Sequence, residues 1–249
     1  MPEKIISQLS HTPLFSEMTE KDCTTVLKDG KRRTIDAGAM LFTQGDPANS
    51  FYIITTGTFQ IARTSREGRE KTVDILTVGQ TLGDPEILSN CKNYRANAVA
   101  VSDASVIEFS RLWLTSSARS NETFALNLLS AISQRLHLSE MEAEHKVTMS
   151  AAQLVACFMQ RLSILYGLNP EQFELPYPKA LIASRLGMAP ETFSRTLATL
   201  KKNGIEITGS QVRIHDIIQV ERFVCNHCSV SGECPTHQRV VQKMAHTTS

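Results

Sequence analysis

A chain of 249 residues is long enough to bury the core of one large or two modest domains. Its formal net charge of +1 excludes a strongly basic nucleic-acid coat, so any DNA binding must rest on a local patch and specific contacts. The start Met1-Pro2-Glu3-Lys4 lacks the apolar core of a signal peptide, and no run is long enough to span a bilayer, which points to a cytoplasmic protein with no membrane partner.

Residues 5–27 read as a helical lead-in, with a turn at Pro13-Leu14-Phe15-Ser16 ahead of an acidic helix start at Thr19-Glu20-Lys21-Asp22. Cys23 falls inside this helix as a small, half-buried apolar side chain. From residue 33 to 109 the texture changes to short alternating runs: Met40-Leu41-Phe42, Phe51-Tyr52-Ile53-Ile54, Phe59-Gln60-Ile61-Ala62, Val73-Asp74-Ile75-Leu76, Ala98-Val99-Ala100-Val101 and Ser105-Val106-Ile107-Glu108-Phe109. Gly and Asp turn signals separate them, a rhythm that predicts a small antiparallel β-roll or barrel.

A long helix is predicted over residues 122–144, where Ala125, Leu129, Ile132, Leu136, Ser139 and Ala143 follow alternating spacings of four and three. This is a coiled-coil seam, weak at its C-terminal end, and it predicts a homodimer; an amphipathic helix packed on its own roll is the alternative. Ser150 caps a further helix with Leu154, Val155, Phe158, Leu162 and Leu165 on its apolar face, and Cys157 on this helix reads as buried packing. A short strand at Phe173-Glu174-Leu175-Pro176 follows.

Residues 179–202 read as two helices joined by a tight turn at Gly187, with Leu181, Ile182 and Leu186 facing inward from the first and Phe193, Leu197 and Leu200 from the second. The outer face of the second carries Glu191, Thr192, Ser194 and Arg195. Arg pairs bidentately with guanine and Glu accepts from cytosine N4, so this face suits base reading in a major groove. An i,i+4 surface pair between Glu191 and Arg195 is the alternative. Residues 204–214 form a hairpin with a Gly209-Ser210 turn, the wing of a winged helix, and Lys201, Lys202 and Arg213 are placed to meet phosphates.

Six cysteines are unevenly spread: Cys23, Cys91 and Cys157 stand alone, while Cys225-x-x-Cys228-x5-Cys234-Pro235 crowds the tail. In a reducing compartment such a group suggests metal before disulfide. Three thiolates with a Pro after the last suit an iron-sulfur cluster. Zinc is the rival, because His237 would complete a Cys₃His set and His227 could serve instead. Unmetallated thiols are the third reading.

The stretch Phe42-x-x-Gly45-Asp46-Pro47-Ala48-x-x-Phe51-Tyr52-Ile53-Ile54-x-x-Gly57 resembles the opening of the cyclic-nucleotide-binding β-roll shared by the CRP and FNR-type regulators. The order of roll, long helix and winged helix is similar to that family over nearly the whole chain. The resemblance implies an α+β fold: a β-roll sensor domain over residues 1–118, a dimerisation helix over 119–147, a winged helix-turn-helix DNA-binding domain over 148–224 and a cysteine-rich tail over 225–249.

In the family's nucleotide-binding members a Gly-Glu pair holds the ribose, and Arg-Ser/Thr-Ala meets the cyclic phosphate. This chain has Gly83-Asp84-Pro85-Glu86 and then Tyr94-Arg95-Ala96-Asn97, so Tyr94 falls where the Arg should be. A one-residue shift leaves Asp84, Glu86 and Arg95 as a weak effector-binding set; the other reading is a roll turned structural relay. Cys91, in the cassette loop, reads as an incidental thiol.

Glu191-x-x-Ser194-Arg195 resembles the recognition helix of the FNR branch, implying double-stranded DNA with a TTGAT-like inverted repeat as partner, and RNA polymerase beside it. FNR regulators carry an N-terminal cysteine group for an oxygen-labile 4Fe-4S cluster, and only Cys23 stands there. The tail resembles a variant branch that places three cysteines after the DNA-binding domain and takes a carboxylate as fourth ligand. That ligand is open here among Glu140, Glu142, Glu144, His145 and His237. The expectation is a homodimeric regulator, not an enzyme, controlled by an iron-sulfur cluster labile to oxygen or nitric oxide. The alternative is a regulator responsive to a cyclic nucleotide or other small molecule, with a structural zinc in the tail.

Overall fold

The computed structural model describes residues 9, 12–166, 168–169, 171–226, 228 and 234; His227 and His237 lie outside them, as do residues 5–8 of the expected lead-in helix. The chain divides into two compact units, Met1–Leu136 and His137–Ser249.

In the first unit, helix α1 (Glu20–Leu27) starts at Thr19, whose hydroxyl accepts from the Asp22 amide. Strands β1 (Lys31–Ile35), β2 (Met40–Phe42), β3 (Ser50–Thr56), β4 (Phe59–Thr64), β5 (Glu70–Leu76), β6 (Thr81–Leu82), β7 (Asn97–Ala100) and β8 (Ala104–Ser110) form two four-stranded sheets, ordered β1-β8-β3-β6 and β2-β7-β4-β5. Every pairing is antiparallel. Strand β3 is buried on both faces: Phe51 and Ile53 enter one core with Ile107, Phe109 and Leu114, and Tyr52 and Ile54 enter the other with Phe42, Phe59 and Val106. That two-sided burial is why its sequence is an unbroken apolar run.

Six strands coincide with the alternating runs of the sequence; β1 and β6 do not. Strand β1 lies at a sheet edge and exposes Lys31, Arg32 and Arg33, so it has no apolar alternation to read. Helices α2 (Asp84–Leu88) and α3 (Arg111–Ser120) complete the roll, and Ser110 caps α3.

Helix α4 (Glu122–Thr148) runs four residues past its expected end at 144. Phe124 and Leu128 are buried in the roll's own core, and Ile132 packs against it. Of the expected seam, Leu129, Leu136, Ser139 and Ala143 are exposed and Ala125 is half-buried, whereas Ile132 is half-buried against the roll. The exposed row is Leu126, Leu129 and Leu136, the last two 60% and 59% exposed, and it continues through Ala143 to Val147.

In the second unit, α5 (Ala151–Leu165) opens with a capping box between Ser150 and Gln153. Helices α6 (Lys179–Arg185) and α7 (Pro190–Lys202) follow strand β9 (Gln172–Glu174), and β10 (Ile205–Thr208) and β11 (Gln211–Ile214) make the hairpin in a sheet ordered β10-β11-β9. A closing helix, α8 (Ile217–Cys225), was not legible as an element; Asp216 caps it. Helix α5 packs against both α7 and α8, around a core that includes Val155, Met159, Ile182, Phe193, Leu200, Val212 and Val220. Among the described residues no helix is long and apolar enough to cross a membrane.

Candidate DNA-reading helix and thiol site

Helix α6 ends because Gly187 adopts φ +72°. The Gly187 amide donates to Ser184 O and the Met188 amide to Ala183 O, at 3.1 and 2.8 Å, a double closure that only a left-handed residue makes without strain. Pro190 at the first turn then starts α7. Phe193, Thr196 and Leu200 are buried, which turns Glu191, Thr192, Ser194 and Arg195 outward, all four exposed. Among the described residues neither Glu191 nor Arg195 is held in an ion pair, so the i,i+4 surface bridge is not formed.

Lys202 and Arg213 are exposed on the same unit. Lys201 differs: its Nζ lies 2.6 Å from Glu206 Oε1 across the wing, and Glu206 also faces His215 Nε2 at 3.3 Å. The hydrogen bonds from these two neighbours hold the Glu206 carboxyl below its ordinary value. Lys201, one of the three cations expected at phosphates, is therefore paired at the surface with a carboxylate of its own unit.

In the roll, Tyr94 stands where the phosphate-binding Arg of nucleotide-binding rolls would be. Its ring stacks on Phe42 at 3.9 Å, and its hydroxyl donates to Ser50 O at 2.5 Å. Burial pushes that hydroxyl well above the ordinary tyrosine value. Asp84, only 1% exposed, is turned toward Arg135 of α4, whose Nη1 lies 3.3 Å from Oδ2 while its Nη2 donates to Thr81 O and Oγ1. Glu86 pairs with Arg95 at 3.4 Å. The three residues of the weak effector set thus do not converge: Arg95 meets Glu86, and Asp84 points elsewhere.

The tail cysteines lie against α4 and α5. His145, buried near the end of α4, has Nε2 3.3 Å from Cys228 Sγ and Nδ1 3.9 Å from Cys157 Sγ. The Cys228 amide donates to Cys225 O at 3.1 Å, and Cys234 is buried. Burial pushes the Cys157 thiol up to about 12; Arg161 pulls against the rise, and Cys234 and Cys228 add to it. Burial likewise pushes Cys225 up to about 12, with Glu221, Cys234, Cys157 and Cys228 adding to it. Cys157 and Cys228 thus share one imidazole, each against a different ring nitrogen of His145.

Among the candidate fourth ligands, Glu142 has both oxygens taken, by Arg161 at 2.9 Å and Arg185 at 2.6 Å, and Glu140 is exposed. His145 touches a tail thiol, Cys228. Burial first, and then Arg161, hold its imidazole below the ordinary histidine value, so it is neutral near pH 7, the form that can ligate. Among the described residues no three His, Cys, Asp or Glu side chains close on a single ion. As a donor set, however, buried and half-buried thiols beside a neutral imidazole fit a soft metal or an iron-sulfur cluster, with each thiol losing its proton on binding.

The sequence pattern by itself makes Cys157 a packing residue. Its burial is as expected, but its neighbours were not legible, because a lone Cys in an apolar helix carries no signal of what the helix packs against.

A family model described as a cyclic nucleotide-binding domain matches residues 32–116, and one described as a Crp-like helix-turn-helix domain matches residues 151–223. The chain is 27% identical to the cyclic AMP receptor protein of Thermus thermophilus over 78% of its own length and 88% of that protein. It is 24% identical to the transcriptional activator protein anr of Pseudomonas aeruginosa over 93% of its length and 94% of that protein. Its fold is similar to the structure of FixK2 from Bradyrhizobium japonicum, with a TM-score of 0.69 at 20% identity, over 78% of this chain and 97% of that one.

Proposed function

Because the chain belongs to the CRP/FNR family of transcription regulators, with both characteristic domains in order, we propose that it is a homodimer controlled by an iron-sulfur cluster at Cys225, Cys228 and Cys234. Its target is double-stranded DNA carrying a TTGAT-like inverted repeat. The observation that carries this reading is Cys228 of the tail set against His145, whose other ring nitrogen faces Cys157, on the unit that also carries a helix with an exposed polar face. Arg195 and Glu191 read base edges, Thr192 and Ser194 contribute beside them, and Lys202 and Arg213 meet phosphates. Leu126, Leu129 and Leu136 supply the dimer face, and RNA polymerase is the partner that converts occupancy into transcription.

When bound, the cluster supplies a redox- and oxygen-labile centre. This chain's residues fasten it to the helices that carry the reader: α5 packs on α7, and Gln153 of α5 donates to Phe223 O of α8 at 2.9 Å. A tail no longer held at these residues would leave that scaffold less constrained, and the population competent for DNA would fall.

The test is anaerobic purification, followed by iron, acid-labile sulfide and zinc analysis and operator affinity before and after air exposure. Cluster loss accompanied by loss of operator affinity supports the reading. Stoichiometric zinc with affinity unchanged by air overturns it. A structural zinc is the second reading, favoured by His145 beside Cys228, because three thiolates and an imidazole make a closed zinc set.

A further inference from the structure

Helix α5 brings a fourth thiol to the tail. Gln153 anchors the α5 backbone face to α8 at Phe223, two residues before Cys225. Cys157 is four residues beyond Gln153, one helical turn along the same face, and its thiol lies against His145 Nδ1, the imidazole whose other nitrogen faces Cys228. His145 bridges this group, touching Cys157 through Nδ1 and Cys228 through Nε2, so both its nitrogens already face sulfur. Glu142 is committed to Arg161 and Arg185. Arg161 is one turn beyond Cys157 on α5 and offers a positive charge beside it, which suits the negative charge of a cluster with four thiolates.

We propose that Cys157 is the fourth cluster ligand, completing an all-cysteine set with Cys225, Cys228 and Cys234, while His145 is a positioning residue that hydrogen-bonds to sulfur and does not bind iron. This rests on the iron-sulfur reading above and extends it. Assembly takes ferrous and ferric iron in equal amounts with sulfide, so the mixed-valence core forms with no net redox change, and each of the four thiols passes its proton to solvent as it ligates. Because Cys157 lies on the helix under α7, the ligand set joins the tail directly to the support of the DNA-reading helix.

The test is anaerobic reconstitution of the wild-type full-length chain and of Cys157→Ala, Cys157→Ser and His145→Gln with equal amounts of ferrous and ferric iron and with sulfide. Its readouts are iron and sulfide per chain, the visible spectrum and Mössbauer spectra with enriched iron. The wild type should hold about four irons per chain, all in thiolate environments with none set apart. The Cys157 variants should fall to about three or fewer, whereas His145→Gln should keep the wild-type iron content with a shifted reduction potential. Wild-type Mössbauer spectra need no variant to fold: one iron set apart from three, with a nitrogen or oxygen ligand, overturns the assignment. A four-iron cluster with an unchanged spectrum in Cys157→Ala also overturns it. A wild-type chain that assembles no cluster at all overturns instead the reading on which the assignment rests.

Discussion

Arg185 Nη2 lies 2.6 Å from Glu142 Oε2, a contact that ties the first helix of the reader to the C-terminal part of α4. Arg161 takes the other carboxylate oxygen at 2.9 Å. Burial by itself raises the Glu142 carboxyl, but the two guanidiniums and their hydrogen bonds outweigh it and hold it below its ordinary value of 4.5. A carboxyl so held stabilises the fold above the ordinary carboxylate range, and that contribution is lost as pH falls through its lowered value. Glu142→Gln should cost about 2–4 kcal/mol at neutral pH, since two partly buried guanidiniums lose their counter-charge. In thermal melts the gap between variant and wild type should close on acidification below about pH 4.5. A gap that stays constant from pH 7 to pH 3 would show that the triad contributes nothing through charge.

Arg195→Ala should reduce discrimination rather than general affinity. Losing one bidentate guanine contact removes about 1–3 kcal/mol for a duplex with inverted TTGAT half-sites and little for a scrambled duplex. Lys202→Ala should weaken both duplexes alike and lessen the salt dependence of binding. Lys201→Ala should do less than Lys202→Ala, because its ammonium is already paired with Glu206. Fluorescence anisotropy titrations at several salt concentrations separate the three. Equal losses on both duplexes for Arg195→Ala would remove it from base reading.

Arg135→Ala should destabilise the roll by about 2–4 kcal/mol, because it strands the Asp84 carboxylate in the interior. Adding Asp84→Asn should recover part of the loss, since an uncharged side chain costs less to leave without a guanidinium. Urea melts of the two single variants and the double variant measure the coupling. Simple additivity would mean that the pair acts as two independent surface groups.

Leu129→Glu with Leu136→Glu should split a dimer into monomers without unfolding either unit, because both side chains are largely exposed in the single chain. Sedimentation analysis reads the mass and circular dichroism the fold. Ile132→Glu should instead destabilise the roll itself, since Ile132 packs against its core. A dimer surviving the double substitution would place the interface off this row.

Much of the architecture could be read directly from local pattern. Alternating apolar runs located six of the eight roll strands, Gly187 marked the turn between the reader's helices, and Gly209-Ser210 marked the wing. These are short-range consequences of backbone geometry, written in neighbouring residues. The departure at Tyr94 was equally visible, since it needed only a comparison of residue types at a motif.

Tertiary structure decided what no period carries: which partner a side chain meets. Helical spacing showed that Ile132 is apolar but not that its own roll claims it. Placement near the end of α4 left Glu142 and His145 equivalent, until packing gave Glu142 to two arginines and set His145 against Cys228, 83 residues away. Cys157 looked like any small apolar residue in a buried helix. Only the docking of α8 on α5 brings the tail thiols to it, because contacts between distant segments depend on how whole elements pack and not on the residues beside them.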